Sequence, residues 1–178
     1  MPMREIVEIV ARVAEIERRL AGFVRHGTVA EVDPAKHRIR LKLGEGTDGS
    51  DFLSPWLPYA QMAGALKIHT PPSKGQQFSL IAPNGDWSQA VALPLTWSNE
   101  NTSPSTAADE NVLTYGNIRA TLKDDLVEIT VGGVTMKITS NGIAITGGKL
   151  THDGRNIGST HVHGGVVPGG GLTEVPAN

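Results

Sequence analysis

The chain has 178 residues, of which 16 are Lys or Arg and 18 Asp or Glu, for a formal net charge of -2. That balance, with a pI near 6.3, leaves no electrostatic footprint for a polyanion and counts against binding nucleic acid or an acidic membrane by charge. Hydrophobic residues make up 39% and aromatic residues 4%, beside 21 glycines, 11 prolines and no cysteine, so an all-helical fold, a disulfide framework and a thiolate metal site are ruled out.

The amino terminus lacks a basic region leading into an apolar stretch and a small-residue cleavage site, so the protein is expected to be made soluble in the cytoplasm. Residues 4–20 are the only convincing helix, within a segment taken as 1–21. Ile6, Ile9, Val13, Ile16 and Leu20 recur in steps of three and four. Ile or Val at most seam positions favours trimeric or higher assemblies, although the same periodicity suits an amphipathic helix lying on its own domain.

From Gly27 the period changes to two. A strand, an Asp33-Pro34 turn and the alternating stretch from Arg38 to Leu43 predict a half-buried hairpin. Further strands are expected around Trp56–Gln61, Gln77–Ile81 and Gln89–Leu93, which makes residues 22–97 a small antiparallel barrel of the OB-fold type. Its expected core is Phe23, Val29, Ile39, Leu41, Trp56, Phe78 and Ile81. Residues 44–49 spell G-x-G-x-x-G, but no helix opens after them, so a barrel loop is expected and not a dinucleotide site.

Residues 98–112 are polar and aperiodic and read as a linker or neck. Over 113–150 short apolar-polar alternations recur between Asp124-Asp125, Gly132-Gly133, Asn141-Gly142 and Gly147-Gly148. Each strand offers one narrow apolar face, too little for a core in a single chain, and threefold repetition as a prism is the economical remedy. Residues 151–178 are dense in glycine and fit a tapered cap.

In the cap, His161-Val162-His163 places two imidazoles on one side of an extended chain. Three chains on an axis would then offer six nitrogens, which suits an octahedral metal better than tetrahedral zinc; iron, nickel, cobalt and copper all accept imidazole. His26, His37, His69 and His152 read as structural or exposed. A nucleophilic set of Asp153, Ser159 and His161 is rejected for want of a rigid scaffold and an oxyanion hole, and Asp124-Asp125 reads as a turn. Trp56, Trp87 and Trp97 are too dispersed for a base-stacking platform.

With these parts in order, the chain resembles the baseplate assembly protein V family, the central spikes of contractile phage tails and R-type pyocins. The resemblance rests on residues 153–171, on Gly27-Thr28-Val29 through Val32-Asp33-Pro34, and on Trp56-Leu57-Pro58. It implies a mainly β protein: a short N-terminal helix, an OB-fold barrel, an intertwined trimeric triple-stranded β-helix and a metal-capped apex. It further implies a homotrimer with one iron ion per three chains held at the apex by His161 and His163. The N-terminal part would meet the baseplate hub and tail tube proteins, and the apex the target-cell outer membrane. The family's place is the virion tail baseplate, assembled in the host cytoplasm. Some larger relatives carry a lysozyme domain between barrel and prism; the short linker here implies that this activity is absent and that the chain is no enzyme. The rival readings are a nucleic-acid-binding OB-fold protein with an oligomerising tail, and a metal-dependent enzyme built on the histidine pair.

Overall fold

A computed structural model describes residues 2–161 and 169, divided into a first unit that ends at Ser103 and a second that begins at Pro104. Helix α1 (Pro2–Phe23) opens the first unit and is longer at both ends than the apolar seam alone predicts. Proline suits its first turn, where the missing N–H has no partner to lose.

Strands β1 (Val24–Asp33) and β2 (Arg38–Glu45) form the expected hairpin across the Pro34–His37 turn. β2 continues into β3 (Asp51–Leu53), followed by β4 (Leu57–Pro58), β5 (Gln77–Ile81) and β6 (Val91–Pro94). The strand order is β3-β2-β1-β5-β6, with β4 also on β2. β1 serves two neighbours: Val24–Thr28 pair with β5 and Thr28–Asp33 with β2. A register shift between Val29 and Glu31 lies within the β2 pairing, the place where a bulge bends a strand so that it can turn from one partner to another.

The expected barrel is not closed by strand ladders. β4 has two residues, because Pro58 offers no N–H to extend it, and only an isolated bridge between Tyr59 and Ala92 joins its end to β6. Beyond it the chain leaves as a loop in which the Gln61 side chain bonds the Thr70 backbone in both directions, at 2.9 and 3.2 Å. The strand expected over Trp56–Gln61 is thus mostly loop, and the strand expected from Gln89 starts at Val91, after two 3-10 turns at Pro83–Gly85 and Trp87–Gln89.

The core of this unit is Val29, Ile39, Leu41, Leu57, Tyr59, Phe78, Leu80, Ala82, Ala90 and Ala92. Three expected members lie outside it. Phe23, 46% exposed, falls on the helix seam, and Trp56, 40% exposed, lies with the Arg40 guanidinium 5.9 Å from its ring centre, among the outward charges of β2. Ile81 is only half-buried. The glycine-rich segment is a tight β2–β3 loop, in which Gly46 donates to the carbonyl of Ser50 at 2.7 Å and Asp48 accepts from the Ser50 backbone at 3.0 Å.

The second unit is a five-stranded antiparallel meander: β7 (Glu110–Tyr115), β8 (Ile118–Lys123), β9 (Leu126–Val131), β10 (Val134–Thr139) and β11 (Gly142–Thr146). β7 starts inside the stretch read as linker. Consecutive strands are joined by two-residue turns, and left-handed φ values at Gly116, Asp125 and Gly132 supply the backbone twist that such hairpins need. Asp124-Asp125 therefore is a turn. A small hairpin of β12 (Thr151–His152) and β13 (Arg155–Asn156) follows, turning at Asp153-Gly154 with both φ angles positive.

Candidate functional site

Residues directly opposed in an antiparallel ladder share a face, so the register of β7–β11 sorts the second unit's side chains without ambiguity. One face carries three rows running across the strands. The first is Tyr115, Ile118, Val131 and Val134; the second Leu113, Ala120, Ile129, Met136 and Ile145; the third Asn111, Leu122, Val127, Ile138 and Ile143. Asn111 is the single polar residue among them. The other face carries Thr114, Arg119, Thr130, Thr135 and Thr146 in one row and Val112, Thr121, Glu128, Lys137 and Ala144 in the next.

The two faces differ in how far one chain completes them. On the polar face Lys137 pairs with Glu128 at 2.7 Å, Arg119 pairs with Glu110 at 3.4 Å, and the Arg119 guanidinium also donates to the Pro104 carbonyl at 3.1 Å. Thr121 is buried to 7% exposure. At its border Lys123 binds Asp109 at 2.6 Å, and the hydrogen bond holds that carboxyl below its ordinary range. The apolar face has no such cover: Tyr115 is 81% exposed, Ile143 68% and Leu113 63%. Each large aliphatic or aromatic side chain removed from water would contribute about 1.5–3 kcal/mol, and contiguous apolar surface of this kind marks an interface. Among the described residues β7 and β11 are also unpaired edges.

The sequence signalled part of this face. Ile129/Val131, Val134/Met136/Ile138 and Ile143/Ile145 stand out by their alternation, whereas Leu113 and Tyr115 lie at the very start of the 113–150 stretch, beside the expected neck. The period of two at Leu113/Tyr115 and at Ile118/Ala120/Leu122 was the available signal.

Beyond the β12–β13 hairpin the chain is tied locally. Asn156 accepts from the Gly158 N–H at 3.0 Å and donates to Thr160 at 2.9 Å, and Ile157 donates to the Leu150 carbonyl at 2.8 Å. His161 is exposed, and its Nδ1 lies 2.6 Å from the Gly158 carbonyl oxygen. A carbonyl can only accept, so Nδ1 carries the proton and the lone pair of the neutral ring resides on Nε2, which is the tautomer a metal-ligating imidazole needs. His163 lies outside the described residues. Among the described residues no group of three or more His, Cys, Asp or Glu side chains could hold a metal within one chain.

The remaining histidines are scattered. His26 Nδ1 lies 2.9 Å from the Ser79 hydroxyl across the β1–β5 ladder, His37 and His69 meet edge to face at 6.4 Å, and His152 stands 3.6 Å from Asp153. A cleft beside α1 is lined by Arg18, Arg25, Phe52, Asp86 and Trp87. Its carboxylate is engaged: Asp86 accepts from the Ser88 N–H at 2.9 Å and from Gln89 at 3.2 Å, and the Ser88 bonds keep its carboxyl below the ordinary range.

Comparison with known proteins agrees with this architecture. Residues 25–97 match the family model of the type VI secretion system/phage-baseplate injector OB domain. Over 135 residues the chain is 27% identical to the spike protein of Escherichia phage P2; the matched stretch is 74% of this chain and spans about 61% of that protein's length.

Proposed function

We propose that the chain belongs to the phage baseplate assembly protein V family, on the match of residues 25–97 to the injector OB domain and the likeness to the P2 spike protein, and that three copies form a central tail spike that pierces the target-cell outer membrane. A structural role in a phage-type tail baseplate follows from the family and the relative together. The observation that carries the finer reading is the apolar face of β7–β11, exposed in one chain while the opposite face is finished. Two sheets stacked face to face would cover that face but leave four edges open. Three chains wound about an axis turn every apolar face inward and give each β7 and β11 edge a neighbour, so the intertwined triple-stranded β-helix answers both needs.

The mechanism is then mechanical. Axial load on an interwoven prism is shared by three chains, and separating them exposes all three apolar faces at once. His161 and His163 would hold an iron ion at the apex, one per three chains, and the Nδ1–Gly158 contact suits that role. Bound there, the ion supplies a cross-link between three apices where glycine leaves little to pack, so ligation becomes local folding energy. The N-terminal part would dock on the baseplate hub and tail tube, and the particle would assemble in the host cytoplasm. No step requires catalysis or nucleic acid.

Thiol accessibility tests this reading, because the chain has no cysteine of its own. Ile129→Cys places a thiol on the apolar face and Thr130→Cys places one on the other. In the native full-length protein the first should resist a maleimide and the second should react; equal, rapid labelling of both would overturn the trimeric prism.

A further inference from the structure

Helix α1 carries a second apolar surface that its own domain does not use. The helix is fixed to the domain by its Arg19/Gly22 side: the Trp87 indole donates to the Gly22 carbonyl at 3.0 Å, and a side chain at Gly85 would run into the Arg19 backbone. The seam of Ile6, Ile9, Val13, Ile16, Leu20 and Phe23 lies roughly a third of a turn away at 3.6 residues per turn, and is exposed throughout, Ile9 to 59%. An amphipathic helix resting on its domain would bury that seam, and this one does not.

We infer that the occupant of the seam is the same helix of two further copies, in parallel and in register, as a short three-stranded coiled coil at the N-terminal end of the chain. Charge supplies the independent argument. With Ile6, Val13 and Leu20 at the a positions and Ile9, Ile16 and Phe23 at d, Arg12 falls at g and Glu17 at the following e, which is the pair that meets between parallel neighbours. Within the chain Arg4 pairs with Glu8 at 3.5 Å and Glu15 with Arg18 and Arg19 at 2.8 and 2.7 Å, whereas among the described residues Arg12 and Glu17, like Glu5 in the first turn, form no ion pair. Arg12 and Glu17 flank the seam on opposite sides. Antiparallel packing would not bring them together. Isoleucine and valine at a and d, with Val10 widening the stripe at e, suit three strands better than two. The number of strands rests on the trimeric spike reading; the existence of the seam does not.

The test uses the full-length protein. Arg12→Glu and Glu17→Arg should each lower the temperature at which helical ellipticity is lost, and the double exchange should restore most of it. Additive losses in the double variant would overturn the pairing. A pyrene-maleimide on Glu5→Cys, beside the seam, should give excimer emission, and one on Ala11→Cys, on the far side, should give none. Absent excimer from Glu5→Cys in a protein that remains trimeric by native mass would overturn the coiled coil and leave the spike intact. A monomeric native mass would instead overturn the spike reading.

Discussion

The indole nitrogen of Trp87 donates to the carbonyl oxygen of Gly22, 3.0 Å away, and so links the 3-10 turn before β6 to the last turn of α1. That carbonyl belongs to a helix end, where four such groups lack intrahelical partners. Trp87 also packs on the core and lies 6.2 Å from Phe52, centre to centre. Trp87→Phe keeps an aromatic ring but removes the donor. It should lower unfolding stability by about 1 kcal/mol, read from the denaturant midpoint. No change in midpoint would show that the bond does not hold the helix.

Ser54 is fully buried, and its hydroxyl accepts from the Leu41 N–H at 2.9 Å while donating to the Pro55 carbonyl at 2.8 Å. It thereby closes the gap where β3 ends and β2 continues. Ser54→Ala would strand a buried N–H beside Ile39 and Leu41, at a cost of about 1–3 kcal/mol. Equilibrium unfolding of the variant against the parent measures it, and an effect within about 0.5 kcal/mol, typical of surface substitutions, would contradict the assignment.

Glu15 accepts from Arg18 and Arg19, and hydrogen bonds to those guanidinium groups, Arg18 first, pull its carboxyl from 4.5 down to about 2. A depressed folded value means that its contribution is present above pH 4.5 and is lost as pH falls through about 2. The difference in helical ellipticity between the parent and Glu15→Gln should therefore shrink across that window. Coincident acid titrations at all pH values would contradict it. The group is exposed, so the effect is expected to be small and weakened by salt.

On the proposed reading, His161→Ala or His163→Ala should abolish iron binding while leaving the assembly trimeric, because ligation would act at the apex and the sheet rows elsewhere. Elemental analysis of the parent should find one iron per three chains. Full metal retention by either variant would remove that residue from the ligand set.

How far the sequence revealed this fold depended on whether local pattern or distant packing decided each position. β5 is legible to the residue because Phe78 and Leu80 alternate within a turn-bounded run, and the β1–β2 hairpin is announced by Asp33-Pro34. Trp56 was misplaced because its apolar bulk says nothing of Arg40, a β2 residue brought beside it by the β2–β4 pairing. Ala82, Ala90 and Ala92 are buried because larger side chains close over them, and alanine carries no periodic signal of that. The seam of α1 was plain, but which side faces the domain was not, since that choice is made by Trp87 and Gly85. In the cap, the His-x-His spacing was visible, while the tautomer of His161 follows from a carbonyl three residues back.

The central claim is that the apolar rows of β7–β11 are buried only against further copies of the chain. Native mass spectrometry of the full-length protein tests it most directly. A mass of three chains, lost on Met136→Asp in the middle row, is the predicted result; a monomer from the unsubstituted protein would contradict it.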